Sequence, residues 1–343
     1  MENKKRRSKK RRLLLLLIAL FFTTVMFTTT TYAWFTANQT VKVNSLTVNV
    51  EAKNGIQISV DGTNWKSIIQ TEDITGAATS YSASVNQLPT TMEPVSTVGE
   101  IDTTGKMKMY YGTITSNAGG SYILTAQKDT EVSGTSGKFI AFDLFFKVTS
   151  QTQIYISKAS GVQVADADDT GIKNASRVGF VVLGNADAGD SVANIQALGL
   201  NLSAEQAAAI PKYIWEPNYD VHTAAAVAHA RDTYGVTTTQ TAGSQISYVG
   251  VKNDIAATDN VLVQVTDPTS YATTYSSLFG AVNVTHATKA GAGFDANLGL
   301  FTLQAGITKV RIYMWVEGQD VDCENNASGG SIKYDLVITT LSE

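Results

Sequence analysis

Short stretches of alternating apolar and polar residues recur along the chain after residue 40. The clearest is residues 139 to 148, in which every second residue from Ile140 onward is apolar. A period of two residues is typical of β-strands. Because Phe139 and Phe145 make the opposite face apolar as well, we predict a central strand that is covered on both sides.

Similar patterns, separated by turn signals, predict about a dozen short strands and therefore a mainly β fold built as a sandwich. The Asp61-Gly62 turn predicts a hairpin between residues 56 to 60 and 65 to 69. We predict two further hairpins, one from residues 107 to 114 and 122 to 126, and a terminal one from residues 310 to 316 and 332 to 338. Residues 71 to 105 are rich in Thr, Ser and Gly and predict a long surface connection with little regular structure.

Residues 187 to 245 interrupt the strand pattern and predict a small helical insertion. Ser203 and Gln206 have the spacing of a capping box, and Pro211 ends that helix. The Ala-rich residues 223 to 234 predict a second helix. An alternative interpretation is that this insertion is a cap over a binding site.

The alternation slips by one residue near the start of the strand region. Val41 and Val43 belong to one phase, and Leu46 opens a second phase three residues later. A shift of one residue turns a strand over. The slip predicts either one strand with a bulge at Asn44 and Ser45 or two strands that can separate.

The first 33 residues have the three-part layout of a secretory signal. Eight basic residues between Lys4 and Arg12 precede an apolar run from Leu13 to Phe22, and small residues follow it. We predict a signal peptide of residues 1 to 33, cut between Ala33 and Trp34. The alternative is an uncleaved anchor, although the uninterrupted apolar run is shorter than the ~20 residues of a spanning helix.

The junction from Ala33 to Asn38, followed by alternating strands, resembles a family of proteins exported by low-GC Gram-positive bacteria, which includes the TasA and camelysin biofilm-fibre proteins. Residues 139 to 146 and 313 to 320 are further points of similarity. The resemblance implies a jelly-roll-like antiparallel β-sandwich, cleavage by an ER-type signal peptidase, and an N-terminal segment that acts as a donated strand.

The domain organisation follows from these observations. We expect the signal in residues 1 to 33, an extended segment in residues 34 to 50, and the β-sandwich in residues 51 to 343. Residues 34 to 50 are the possible donor strand, with Trp34, Phe35, Val41 and Val43 as the residues that enter a neighbour. The alternative is that this segment covers its own domain as an edge strand.

Charge is distributed unevenly along the chain, whose net charge is -4. Residues 1 to 33 contain eight of the 26 basic residues and one of the 30 acidic residues, so the remaining chain carries a net charge of −11. The one basic cluster lies in the signal, and nucleic acid is therefore an unexpected partner. The predicted location is secreted or at the cell surface, with membrane contact only through the uncleaved signal.

Four acidic residues follow the predicted strand of residues 310 to 316 in one loop: Glu317, Asp320, Asp322 and Glu324. Oxygen ligands on a loop suit Ca²⁺, and export brings a protein to Ca²⁺. The favoured alternative is a solvated acidic turn, so we expect no cofactor. The single cysteine, Cys323, predicts a small buried or loop thiol rather than an intermolecular bridge.

Motifs of the common enzyme classes are absent from the sequence. It has no His-Glu-x-x-His zinc motif, no Gly-x-Ser-x-Gly nucleophile elbow and no P-loop. His222 and His229 are seven residues apart, which is too far for one tetrahedral zinc ion on a straight helix. We therefore expect no catalysis, and the peptidase activity associated with camelysin is the least favoured function.

Two functions remain as hypotheses. The first is a structural protein of the cell surface or biofilm matrix that forms homo-oligomers or fibres by N-terminal strand donation. The second is a carbohydrate-binding adhesin, in which Trp215, Tyr219 and Tyr271 stack on sugars.

Overall fold

The computed structural model describes residues 40–51, 55–116, 122–165, 169–218, 221–224, 226–228, 249–262, 273–282, 285–287, 299–323 and 329–340. The predicted signal lies outside this range, as does most of the Ala-rich segment of residues 223 to 234. None of the helices within the described ranges has the length and apolar character that crossing a membrane requires.

Strands form most of the regular structure. They are β1 (Val41–Glu51), β2 (Gln57–Ser59), β3 (Ile68–Gln70), β4 (Thr91–Met92), β5 (Val95–Ser96), β6 (Met109–Ser116), β7 (Tyr122–Asp129), β8 (Ile140–Val148), β9 (Thr152–Ile156), β10 (Gly161–Val164), β11 (Ser176–Ala186), β12 (Lys212–Trp215), β13 (Gly250–Val251), β14 (Phe279–Gly280), β15 (Thr285–Ala287), β16 (Phe301–Leu303), β17 (Gly306–Val316) and β18 (Ser331–Thr339). The α-helices are α1 (Thr71–Gly76), α2 (Val192–Ala197) and α3 (Ala204–Ala209), and short 3₁₀ turns occupy Ala77–Thr79, Ile172–Ala175 and Ala257–Asp259.

Two large sheets make the body of the protein. The first sheet has the order β16-β9-β18-β1-β3, with β10 also paired to β18 and β4 to β1. The second sheet has the order β15-β12-β11-β17-β8-β2. Most pairs are antiparallel, but β1 runs parallel to β18 and β12 runs parallel to β15. A third sheet, β5-β6-β7, and the pair β13-β14 are smaller.

The main core lies between the first and second sheets. Val48 of β1 and Leu336 of β18 come from the first sheet, and Phe146 of β8 and Ile312 of β17 come from the second. All four side chains are essentially inaccessible to water. The prediction of a mainly β sandwich with a small helical insertion is confirmed.

The second sheet is also covered on its outer face. Met109 of β6 and Phe139 pack there against Tyr313 and Trp315 of β17. Every residue of β17 is buried as a result, and the prediction that residues 139 to 148 form a central strand covered on both sides is confirmed.

The prediction of a surface connection for residues 71 to 105 is wrong in one respect. The segment has little regular structure, but much of it is buried, including Tyr81, Gln87 and Thr97. The reason is that its apolar side chains join the hydrophobic core and its polar side chains find partners inside the protein. Gln87 Nε2, for example, donates a 2.7 Å hydrogen bond to the carbonyl of Phe139, so the segment serves as a lid on the second sheet.

The predicted terminal hairpin is also wrong. β17 pairs with β8 and β11 in the second sheet, whereas β18 pairs with β1, β9 and β10 in the first. The loop after β17 crosses from one sheet to the other, so the apolar faces of the two strands meet across the core. Alternation alone does not distinguish these arrangements, because it reports one buried face in both.

The other two predicted hairpins are present. Ile58 and Lys66 exchange backbone hydrogen bonds of 2.8 Å across the Asp61-Gly62 turn, and β6 pairs with β7 along their whole length. In the insertion, Ser203 Oγ accepts from the Gln206 amide at 3.2 Å while Gln206 Oε1 accepts from the Ser203 amide at 2.8 Å. This capping box starts α3 as predicted.

The phase slip in β1 is a bulge in a continuous strand. Val43 lies opposite Ile332, and Ser45 lies opposite the next residue, Lys333, so Asn44 is the extra residue. Leu46, Val48 and Val50 then return to the core face. The first of the two sequence interpretations is therefore the observed one.

Deletion of Asn44 should be tolerated, because it leaves Val43 and Leu46 two residues apart on one face. Deletion of Thr47 should instead turn one half of β1 over and expose its apolar side chains, at about 1.5–3 kcal/mol for each side chain. Thermal unfolding followed by circular dichroism compares the two chains. Equal losses of stability in both would contradict the bulge.

Candidate functional site

The predicted donor residues fall into two groups. Ala33, Trp34 and Phe35 lie outside the described residues. Val41 and Val43 lie at the start of β1, where Val41 is completely buried and pairs with Met92 of β4. In this structure the pairs made by β1 are within its own chain.

β1 occupies an interior position in the first sheet. It is flanked on one side by β18 and on the other by β3 and β4. Its pairing with β18 continues from Lys42 to Glu51, and Leu46, Val48 and Val50 fill the core below it. The first described strand therefore lies between the last described strand, β18, and the two short strands β3 and β4.

The interpretation of the acidic loop as a solvated turn is wrong. Glu317, Asp320 and Asp322 are 0%, 2% and 1% exposed, and Glu324 lies outside the described residues. The loop is buried because it crosses between the sheets, and its carboxylates have buried partners.

Arg177 of β11 neutralises part of this charge. Its guanidinium is completely buried, contacts the carboxylate of Asp320, and lies 2.9 Å from Glu216 Oε1. Its other donors reach the carbonyls of Asn174 and Ser176 at 3.3 and 3.1 Å. Arg177 therefore ties β11 and the segment after β12 to the crossing loop.

His222 makes the second link to the loop. Its Nδ1 lies 2.6 Å from Asp322 Oδ2, and Asp322 Oδ1 accepts a hydrogen bond from the Thr223 amide at 2.8 Å. Burial of the ring opposes its charged form. The hydrogen bond to Asp322 and the charges of Asp322, Asp320 and Glu216 outweigh burial and raise the pKa of His222.

Glu317 is the third carboxylate of the loop, and burial raises its pKa to about 7. Three hydrogen bonds oppose the shift in part, among them one of 3.1 Å from Trp315 Nε1. Cys323, at the end of the described part of the loop, is buried, as the sequence predicts.

The candidate Ca²⁺ ligands that the structure describes are engaged in this network. Asp320 contacts Arg177, and Asp322 contacts His222. Within the described ranges, no group of three or more His, Cys, Asp or Glu side chains is arranged to hold a metal ion.

Of the three aromatic residues in the adhesin hypothesis, the structure describes Trp215. Trp215 is 3% exposed and packs in the main core, so it offers no face to a sugar. Tyr219 and Tyr271 lie outside the described residues, as does His229.

A second buried charge network lies under the outer face of the second sheet, where the sequence analysis proposed no site. Arg311 contacts Glu131 at 2.5 Å and Asp143 at 2.7 Å, and Lys309 lies 3.2 Å from Asp143. These four side chains are at most 5% exposed. The sequence contained one signal for this network. Charged residues occur within β8 and β17, two strands that are buried on both faces.

The surface also carries a depression with a volume of about 450 Å³ between α3 and the segment before β6. It is lined by Glu100, Ile101, Asp102, Thr103, Lys108, Ala204, Ala207, Ala208 and Lys212. Lys108 and Glu100 pair with each other at 2.9 Å. This depression is the place where the helical insertion meets the lid on the second sheet.

Comparison of the chain with protein-family models, curated proteins and solved structures found no match in any of the three.

Arg177→Met should lower the free energy of unfolding by about 3–5 kcal/mol, because it leaves Asp320 and Glu216 buried without their cation. The matched control is Lys173→Met, which removes the exposed pair between Lys173 and Asp169 and should cost less than about 1 kcal/mol. Urea unfolding of both chains measures the difference. Similar costs would contradict the structural role of Arg177.

The contribution of His222 to the free energy of unfolding should depend on pH. Because its pKa is raised on folding, this contribution is complete below about pH 6.5 and is lost as the pH rises through the folded-state pKa. The native chain should therefore lose its stability advantage over His222→Asn as the pH increases from about 6 to 9. Melting temperatures of the two chains test this. Glu317 titrates in both chains and cancels from the difference, and a constant difference would contradict the imidazolium pair.

Proposed function

We propose that this chain is an exported structural protein of the cell surface or biofilm matrix that assembles into fibres. In a fibre, β1 of one subunit would occupy the first sheet of the next. The proposal is carried by one observation, namely the interior position of the N-terminal strand between β18 and the pair β3 and β4. Neither catalysis nor nucleic acid forms part of it.

The physical reason is the surface that β1 covers. Withdrawal of β1 would leave backbone groups of β18 without hydrogen-bond partners. It would also uncover the core side chains Ile332, Tyr334 and Leu336. Unpaired strand edges accept another strand readily. The strand that best fits the vacancy is β1 of a second copy, because it repeats the same apolar positions and the same bulge.

Exchange of this kind favours fibres. Each subunit donates β1 at one surface and accepts a strand at another, and such a head-to-tail contact extends into a filament when its rotation does not close into a ring. The net charge of −11 beyond residue 33 keeps free subunits soluble through mutual repulsion.

Export supplies the trigger in this proposal. While residues 1 to 33 hold the chain at the membrane, residues 34 to 40 and β1 are tethered. Cleavage between Ala33 and Trp34 by an ER-type signal peptidase would release the N-terminus a few residues before β1. Trp34 and Phe35 then add apolar contacts to the donated strand.

A disulfide that fixes β1 in its own sheet should prevent assembly. Asn49 and Val337 are register partners in β1 and β18, so Asn49→Cys with Val337→Cys, in a Cys323→Ala background, provides the lock. We expect the oxidised mature chain to remain monomeric and the reduced chain to form filaments. Negative-stain microscopy and light scattering of the same sample measure both.

The matched control places the disulfide in another sheet. The hydroxyls of Thr113 and Thr125 are 2.8 Å apart on β6 and β7, and cysteines there should leave filaments unaffected in either redox state. Filaments from the oxidised β1 lock would refute strand exchange. N-terminal sequencing of the secreted chain tests the cleavage separately.

A further inference from the structure

Lys309 and Asp143 form an unusual pair beneath the outer face of the second sheet. Lys309 is opposite Phe145 and Arg311 is opposite Asp143, so Lys309 and Asp143 are diagonal neighbours on adjacent strands. The Lys309 Nζ lies 3.2 Å from Asp143 Oδ2, and the two side chains are 1% and 5% exposed. The amine of Lys309 is therefore held within hydrogen-bond distance of the carboxyl group of Asp143.

Tyr81 connects the same two groups by a second path. The Lys309 Nζ donates to Tyr81 Oη at 2.9 Å, and Tyr81 Oη donates to Asp143 Oδ2 at 2.9 Å. A proton that leaves the amine can thus reach the carboxyl oxygen through one hydroxyl.

Arg311 holds the other oxygen of the carboxylate. Its Nη1 donates to Asp143 Oδ1 at 2.7 Å, and Glu131 and the carbonyl of Val85 fix the guanidinium at 2.5 and 2.6 Å. A fixed cation at this position stabilises negative charge that develops on Oδ1 when a nucleophile attacks the carbon.

We propose that Lys309 and Asp143 condense into an intramolecular amide that links β17 covalently to β8. The Lys309 Nζ attacks the carboxyl carbon of Asp143, a C–N bond forms, and the bond from that carbon to Oδ2 breaks. The ammonium and carboxylate of the starting pair become an amide and one water. Two amine protons leave with Oδ2, and Tyr81 relays them. Neither oxidation nor reduction occurs, so no co-reactant is required.

The surroundings support this step. Burial lowers the pKa of Lys309, although Asp143 opposes the shift. Less free energy is therefore needed to deprotonate the ammonium to the neutral, nucleophilic amine. Burial acts in the opposite sense on Asp143, but Arg311 and Lys309 outweigh it and keep the pKa of Asp143 low. The carboxyl group therefore starts ionised and is a poor electrophile, so a proton must first pass from the Lys309 ammonium to Asp143 Oδ2 through Tyr81, which leaves a neutral amine to attack a neutral carboxyl group.

Exclusion of water favours the product. A site this deeply buried excludes bulk water and so limits the reverse hydrolysis. Fixed proximity of the reacting groups replaces an encounter in solution, which is a large kinetic advantage. The link would close residues 143 to 309 into a loop and stabilise the second sheet without involving β1.

Intact mass spectrometry of the denatured mature chain tests the proposal. The mass should be lower than that of the unlinked chain by one water, about 18 Da. Trypsin should not cut after Lys309, so the peptide of residues 139 to 147 should be joined to that of residues 290 to 311. Tandem mass spectrometry of this joined species locates the bond. A full-mass chain with both peptides free would overturn the proposal, and so would a loss of water confined to a single peptide.

Two variants and a control separate the chemistry from folding. Lys309→Met removes the nucleophile and should have the full mass calculated for its own sequence. Tyr81→Phe keeps the ring that packs edge-on against Phe145 at 6.0 Å but removes the relay, so the linked fraction should fall at least tenfold. An unchanged linked fraction would overturn the role of Tyr81. Lys333→Met removes a partly exposed Lys–Asp pair of 3.0 Å and should leave the mass deficit in place.

Discussion

Pairing of charges beneath the outer face of the second sheet is the interaction on which the rest of the structure depends. β17 lies between β8 and β11 with every residue buried, yet it carries Lys309 and Arg311. A buried cation is tolerated only with a partner and further hydrogen bonds. Asp143 comes from β8 itself, but Glu131 comes from a neighbouring segment. The requirement for charge balance therefore determines which segments must cover the sheet.

The same requirement explains the irregular lid. Residues 71 to 105 contain few helices or strands, yet Tyr81 and the carbonyl of Val85 both bond to the cations of β17. A segment that supplies single polar contacts to a sheet does not need a repeating backbone pattern. Its burial follows from these polar partners together with its apolar side chains, such as Leu88 and Met92, which join the main core.

This also marks the limit of what the sequence could predict. Period-two alternation identified β8, β17 and β18, because it depends only on which face of a strand is buried. It also located the phase slip in β1 but left a bulge and two separable strands as alternatives. It did not assign β17 and β18 to different sheets, since a hairpin and a crossing between sheets require the same alternation. The pairing of Arg177 with Asp320, residues far apart in the chain, has no local signal. For this reason the acidic loop was interpreted as solvated although it is buried.

The two sheets have different means of stabilisation, and this difference links the proposals. The second sheet is buried on both faces and is held by ion pairs between β17, β8 and the lid, so it resists any exchange of its strands. The first sheet contains β1, which makes its contacts through backbone pairing and apolar side chains. Such contacts are reproduced in full by an identical strand from another subunit, whereas a specific buried charge network is not easily rebuilt. The proposed exchange therefore requires a strand outside the charge networks, and β1 meets that condition.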